Sequence, residues 1–104
     1  MPAGAALAEL DRAYRDEWAP VLATLTRQLG GDLGLAEDAV QDAFVAAAAE
    51  WPERGVPRRP GAWLTTAARR RAIDRLRRDR VRAAHQPALE HLERLVRLDQ
   101  TTDP

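Results

Sequence analysis

The residues best equipped for chemistry in this sequence are its arginines. All 16 basic residues are arginine, and eleven of them fall between positions 54 and 82: Arg54, Arg58, Arg59, Arg69, Arg70, Arg71, Arg75, Arg77, Arg78, Arg80 and Arg82. A guanidinium offers planar, forked donors to phosphate oxygens and base edges, and it stacks on flat rings. Clustered along one element, such groups track a phosphate backbone and release its counterions. Trp63 stands among them, and an aromatic at the rim of a cationic surface can stack on an unpaired base. Anion and base recognition is therefore the chemistry on offer. Catalysis has little to work with. Serine and cysteine are absent, which excludes a serine or thiolate nucleophile, a disulfide framework and thiolate metal sites. His85 and His91 are six positions apart with no third ligand at useful spacing. Gly30-Gly31 reads as a helix stop, not a phosphate-cradling loop. A non-enzymatic chain without metal or cofactor is expected.

A second group has the opposite sign. Glu37, Asp38, Gln41 and Asp42 occupy neighbouring positions on a helix surface, a face able to dock a basic partner helix. Each pattern also has a plainer structural reading. The acidic group suits an ordinary solvated face, and the arginines suit a basic helix paired with acidic ones in the same molecule. Trp63 suits a core anchor against Phe44 or Trp51. Spacing alone leaves these alternatives open.

Net charge does not separate them, because 16 basic and 16 acidic residues cancel. Position does. Residues 1–53 carry ten acids and three arginines, a balance of −7; residues 54–82 carry eleven arginines against Asp74 and Asp79, +9; residues 83–104 carry four acids and two arginines, −2. Such asymmetry suggests a different partner for each half.

The elements that must position these groups are helices. A chain of 104 residues allows one small domain, and 21 of its 47 apolar residues are alanine, so the core must be thin. No alternation suggests a strand. A first helix over about 5–29 follows the stripe Leu7, Leu10, Tyr14, Trp18, Val21, Leu22, Leu25 and Leu29, with a kink or break near Ala19 before Pro20. A second begins after Asp32 as N-cap and ends near Trp51, before Pro52. The stretch from Pro52 to Pro60 reads as a proline-stiffened loop. Pro60 suits the first residue of a third helix reaching about Arg82. A fourth segment, 87–99, is amphipathic through Leu89, Leu92 and Leu95. The expected fold is all-α: a compact bundle of three main helices, with the fourth segment left open between a short C-terminal helix and a partly ordered linker. Trp18, Leu22, Leu25, Val40, Phe44 and Trp51 are expected to form its core. No apolar run is long enough to span a bilayer, and no signal peptide opens the chain, so a cytoplasmic setting is expected.

In order along the chain, these residues resemble a known family. Leu35-Ala36-Glu37-Asp38-Ala39-Val40-Gln41-Asp42-Ala43-Phe44 resembles the AED-x-VQ-[ED]-x-F signature of region 2.2 in extracytoplasmic-function (ECF) sigma factors, within the sigma-70 superfamily. Trp63-Leu64-Thr65-Thr66-Ala67-Ala68-Arg69-Arg70-Arg71-Ala72-Ile73-Asp74-Arg75-Leu76-Arg77-Arg78 resembles their region 2.3/2.4 pattern, WL-x-x-IAR-N-x-x-x-D-x-x-R-[RK]. Residues 14–30 look like region 2.1.

The resemblance implies a region 2 domain over 1–82, with 83–104 beginning an interdomain linker. It implies that Asp38, Gln41 and Asp42 dock the coiled coil of the RNA polymerase β′ clamp. It further implies that Arg54, Arg58, Arg59, Trp63, Thr66, Arg69, Arg70 and Arg77 recognise and melt the promoter −10 element, capturing the non-template single strand with one base flipped out. An anti-sigma factor, or C-terminal domains of a longer chain, would hold such a factor inactive; alone, a monomer is expected. Nothing after Arg82 supplies the family's region 4, so an isolated region 2 is expected. Two positions depart from the family pattern: Arg70 replaces a common asparagine, and Thr65 replaces an aromatic, so −10 specificity does not transfer. Two other classes remain open on the residues alone, a helical regulator of double-stranded DNA and a protein-only interaction module.

Overall fold

The computed structural model describes residues 3–82 and 86–101. Four helices follow one another: α1 (Ala3–Gln28), α2 (Leu33–Arg54), α3 (Pro60–Arg82) and α4 (Gln86–Thr101). No strand occurs among the described residues. The molecule is a rod of 46 × 24 × 22 Å, a length close to that of its longest helix, since 26 residues rise about 39 Å.

The joints follow local chemistry. Gly30 and Gly31 take positive φ angles of 66° and 94°, which only glycine adopts without strain. Their amides then cap α1: Gly31 donates to the Thr26 carbonyl at 2.8 Å and Gly30 to that of Arg27 at 3.2 Å. Asp32 caps α2 as expected, its Oδ1 accepting from the Leu35 amide at 3.1 Å.

Pro20 was expected to kink or break the first helix and Pro52 to lie just beyond the second; neither ends its helix. α1 runs through Pro20, and α2 runs through Pro52 to Arg54. The carbonyls left without a proline N–H belong to Asp16 and Ala48, both exposed residues whose backbone water can reach. Past Pro52, a Glu50–Arg54 pair at 3.7 Å and the Gly55 amide donating to Trp51 at 2.9 Å complete the last turn. The interhelix loop therefore shortens to 55–59.

The core is built on alanine as much as on large side chains. Ala36, Ala39, Ala43 and Ala47 of α2 face inward with Val40, Phe44 and Trp51, while Leu64, Ala68, Ala72, Ile73 and Leu76 line α3. Small residues at spacings of three and four let these two helices approach closely. Trp51, Leu25, Leu29, Leu64, Leu95 and Val40 are the largest fully buried side chains. Each such burial stabilises the fold by roughly 1.5–3 kcal/mol.

The expected stripe on α1 is only half correct. Val21, Leu25 and Leu29 are buried, but Leu7 and Tyr14 are exposed while Ala6 and Ala13 point inward. The small residues set the approach of α1, and the aromatics move to its flank. There Tyr14, Trp18 and Phe44 form a cluster with ring centroids 5.2–5.6 Å apart. Trp18 and Leu22, expected in the core, are partly buried against it. The C-terminal segment is a helix that packs on α3 and touches α1, with Leu92 and Leu95 buried.

Candidate nucleic-acid interface

The basic run lies on the loop 55–59 and on α3. Gly55 turns the chain out of α2 at a φ of 93°. Arg58 and Arg59 then stand exposed, and the Trp63 amide donates back to the Arg59 carbonyl at 3.1 Å, opening α3. Gly61 matters because the Glu17 side chain of α1 presses on it; a Cβ there would overlap the Glu17 carboxylate. That carboxylate sits at the positive end of the α3 dipole. The Thr65 hydroxyl donates to the Gly61 carbonyl at 2.8 Å. Glu17, Val21, Thr24, Arg59, Gly61 and Thr65 border an open groove of about 350 Å³ at this joint.

Trp63 fulfils its structural reading at least in part. It is partly buried and meets the fully buried Trp51 ring edge to face, with centroids 5.5 Å apart. The Trp51 indole N–H is buried and has no hydrogen-bond acceptor among the described residues.

Helical phase sorts the remaining arginines. At about 100° per residue, Trp63, Thr66, Arg70 and Arg77 fall within roughly 60° of one another, along one edge of α3. Arg70 and Arg77 are exposed and Thr66 is partly buried. Arg69 lies on the other side of that edge, on the apolar stripe four positions before Ile73 and seven before Leu76. It is only 4% exposed, and its Nε donates to Gln28 Oε1 at 3.2 Å. Burial pulls its guanidinium below the ordinary arginine value; the nearby Asp99 carboxylate opposes this and the Arg70 charge adds to it. Trp63, Thr66, Arg70 and Arg77 thus share one edge of α3, Arg58 and Arg59 are exposed on the loop before it, and Arg69 lies inside. Its spacing with Ile73 and Leu76 was the available signal. Arg54 stands on the last turn of α2, paired with Glu50. Asp74 is exposed, with no ion-pair partner among the described residues.

The acidic group occupies the exposed face of α2. Asp38, Gln41 and Asp42 are all exposed, and Asp38 meets Arg75 of α3 across 3.9 Å. Val45 continues the same stripe at a spacing of three and four and is 69% exposed, an apolar residue in a polar face. Nothing in the sequence singles it out, because alanines surround it.

Among the described residues no cluster of three or more His, Cys, Asp or Glu side chains could hold a metal ion, and no helix is long and apolar enough to cross a membrane. His85 and the His91 side chain lie outside the described residues.

The Sigma-70 region 2 family model matches residues 15–82. The chain is 43% identical over 81 residues to the ECF RNA polymerase sigma factor SigL of Mycobacterium tuberculosis, an alignment covering 77% of this chain and 46% of that protein. A shorter stretch of 47 residues, 45% of this chain, is 47% identical to 11% of an uncharacterized protein of Rhizobium meliloti. The chain therefore spans less than half the length of these curated relatives. No solved structure matches. With the family match covering α2, α3 and most of α1, and with both motifs on the faces just described, the chain belongs to the sigma-70 region 2 family, as a region 2 domain of the ECF type.

Proposed function

We propose that this domain is the −10-reading part of an RNA polymerase sigma factor and acts by binding, not catalysis, during transcription initiation. The acidic face of α2, with Asp38, Gln41, Asp42 and Val45, docks the coiled coil of the β′ clamp. The loop 55–59 and the adjoining edge of α3 take the non-template strand of the −10 element. Arg54, Arg58, Arg59, Arg70 and Arg77 supply the phosphate and base-edge donors, and Trp63 and Thr66 line the strand's path. A base swung out of the stack has a recess beside it, the groove between Glu17, Arg59 and Thr65. Arg69 receives a different role from the one expected: it holds α3 against α1, so its contribution to DNA is positional.

One observation carries this reading. Asp38, Gln41 and Asp42 are exposed on α2, and Arg58, Arg59, Arg70 and Arg77 are exposed on the loop and α3, the two sets meeting at the Asp38–Arg75 pair. A protein partner and a nucleic-acid partner can then bind together.

The test is strand preference. Labelled oligonucleotides with varied −10 hexamers are titrated as single strands and as duplexes, with fluorescence anisotropy as the readout. Tighter, sequence-dependent binding of non-template single strands is expected. Equal binding of duplex, indifferent to sequence, would identify a double-stranded DNA regulator instead. Unchanged affinity after Arg58, Arg59 and Arg77 are all replaced by alanine would favour a module that binds proteins only.

A further inference from the structure

The C-terminal helix carries an acid aimed at the edge of α3. Leu92 and Leu95 of α4 are buried, and Asp99 lies seven and four positions beyond them on the same stripe. That phase turns Asp99 toward α3. Its two carboxylate oxygens accept from Arg70 Nε at 3.2 and 3.4 Å. The Asp99 side chain is 23% exposed, against 55% for that of Arg70, so the acid is the more enclosed partner. Arg69 feels the same carboxylate. The pairing is long-range in sequence, and it joins a segment of balance −2 to one of +9. Carboxylate and phosphate each offer a guanidinium a pair of anionic oxygens, so the two can compete for one arginine.

We propose that α4 is an intramolecular competitor for promoter DNA: Asp99 occupies the Arg70 edge of α3, and a single strand must displace it to bind there. The inference rests on the reading that α3 takes single-stranded DNA, and it adds a regulatory contact to that surface. Leu92 and Leu95 also hold α4 to the bundle, so losing the Asp99–Arg70 pair loosens its docking, and the turn that carries Asp99 frays, without releasing the whole helix. Linkage makes the effect reciprocal: whatever factor Asp99 takes from DNA affinity, DNA takes from the docking of α4.

The experiment titrates the tightest-binding single-stranded oligonucleotide into the wild-type chain, Asp99→Asn, Arg70→Ala and the double variant. Asp99→Asn should bind roughly two- to tenfold more tightly than wild type, the range of a charge-assisted, partly exposed pair. Arg70→Ala should abolish that gain, leaving the double variant equal to Arg70→Ala. A second measurement is independent of any variant: amide hydrogen exchange across residues 92–101 of the wild-type chain should accelerate when the oligonucleotide saturates it. Exchange there that is unchanged or slower overturns the proposal, as does a folded Asp99→Asn that binds no more tightly than wild type. Failure of all four proteins to bind any oligonucleotide overturns the single-strand reading itself. Binding without the Asp99→Asn gain overturns only the role of α4.

Discussion

Arg69 of α3 donates its Nε to Gln28 at the end of α1, and this 3.2 Å bond joins one member of the basic run to the interior of the bundle. The neighbouring Arg70 is exposed and pairs with Asp99. Adjacent residues of one type thus hold opposite roles, separated by a turn of about 100° around the helix.

Arg69→Ala is expected to lower unfolding free energy by about 2 kcal/mol, because the packing of its stem disappears and the Gln28 amide is left unmet. Arg77→Ala, on the exposed edge, should stay within about 0.5 kcal/mol of wild type. Urea unfolding followed by circular dichroism checks both. An Arg69→Ala chain as stable as wild type but deficient in DNA binding would return Arg69 to the DNA surface.

The alanine seam predicts a sharp positional contrast. Ala43 and Ala47 are fully buried where α2 is packed, whereas Ala48 is exposed. Ala43→Leu should cost roughly 1–3 kcal/mol by overpacking. Ala48→Leu adds the same atoms in water and should change stability by less than about 0.5 kcal/mol. Thermal melts of the two variants suffice; equal melting temperatures would mean that the helices are not held at alanine distance.

Salt dependence tests the loop. For a bound single strand, every phosphate that an arginine no longer neutralises should reduce the slope of log affinity against log salt by about 0.7. Replacing Arg58 and Arg59 together by alanine should therefore flatten the slope by roughly 1.4 if both touch phosphate. Binding measured between low and moderate salt gives the slope directly, and an unaltered slope would remove both arginines from the strand's path.

On the α2 face, Asp42→Arg and Val45→Asp should each reduce capture of a β′ clamp fragment in a pull-down. Both side chains are exposed, so neither change should alter stability by more than about 0.5 kcal/mol. The two test different physics. The first reverses the charge presented to a basic partner, and the second removes the exposed apolar group at the end of the stripe. Undiminished capture by both variants would place the docking surface elsewhere.

Much of this molecule is legible in its sequence. Asp32 as a cap, Gly30-Gly31 as a stop and Pro60 as a helix start are effects of single residues on their own backbone, and all three hold. The separation of charge along the chain is only partly kept in space: the acidic face of α2 and the arginines of α3 are exposed, but Asp38 meets Arg75 and Asp99 meets Arg70. Pro52, expected beyond the end of α2, lies inside it for the converse reason. Whether a proline ends a helix depends on whether water can reach the carbonyl it orphans, and that depends on neighbours distant in sequence.

Local spacing determined by itself which residues share a helix face, and with the two ordered motifs it named the family. Only the tertiary structure decided which face looks inward. Leu7 and Tyr14 yielded the interior of α1 to Ala6 and Ala13, since a close helix contact rewards small side chains over greasy ones. Arg69 went inside because α1 offers Gln28 to its guanidinium, and Arg70 met Asp99 because α4 folds back along α3. Such pairings join positions 41 and 29 residues apart. Helical periodicity reaches only a turn or two, so contacts of that span become visible only when the helices are packed.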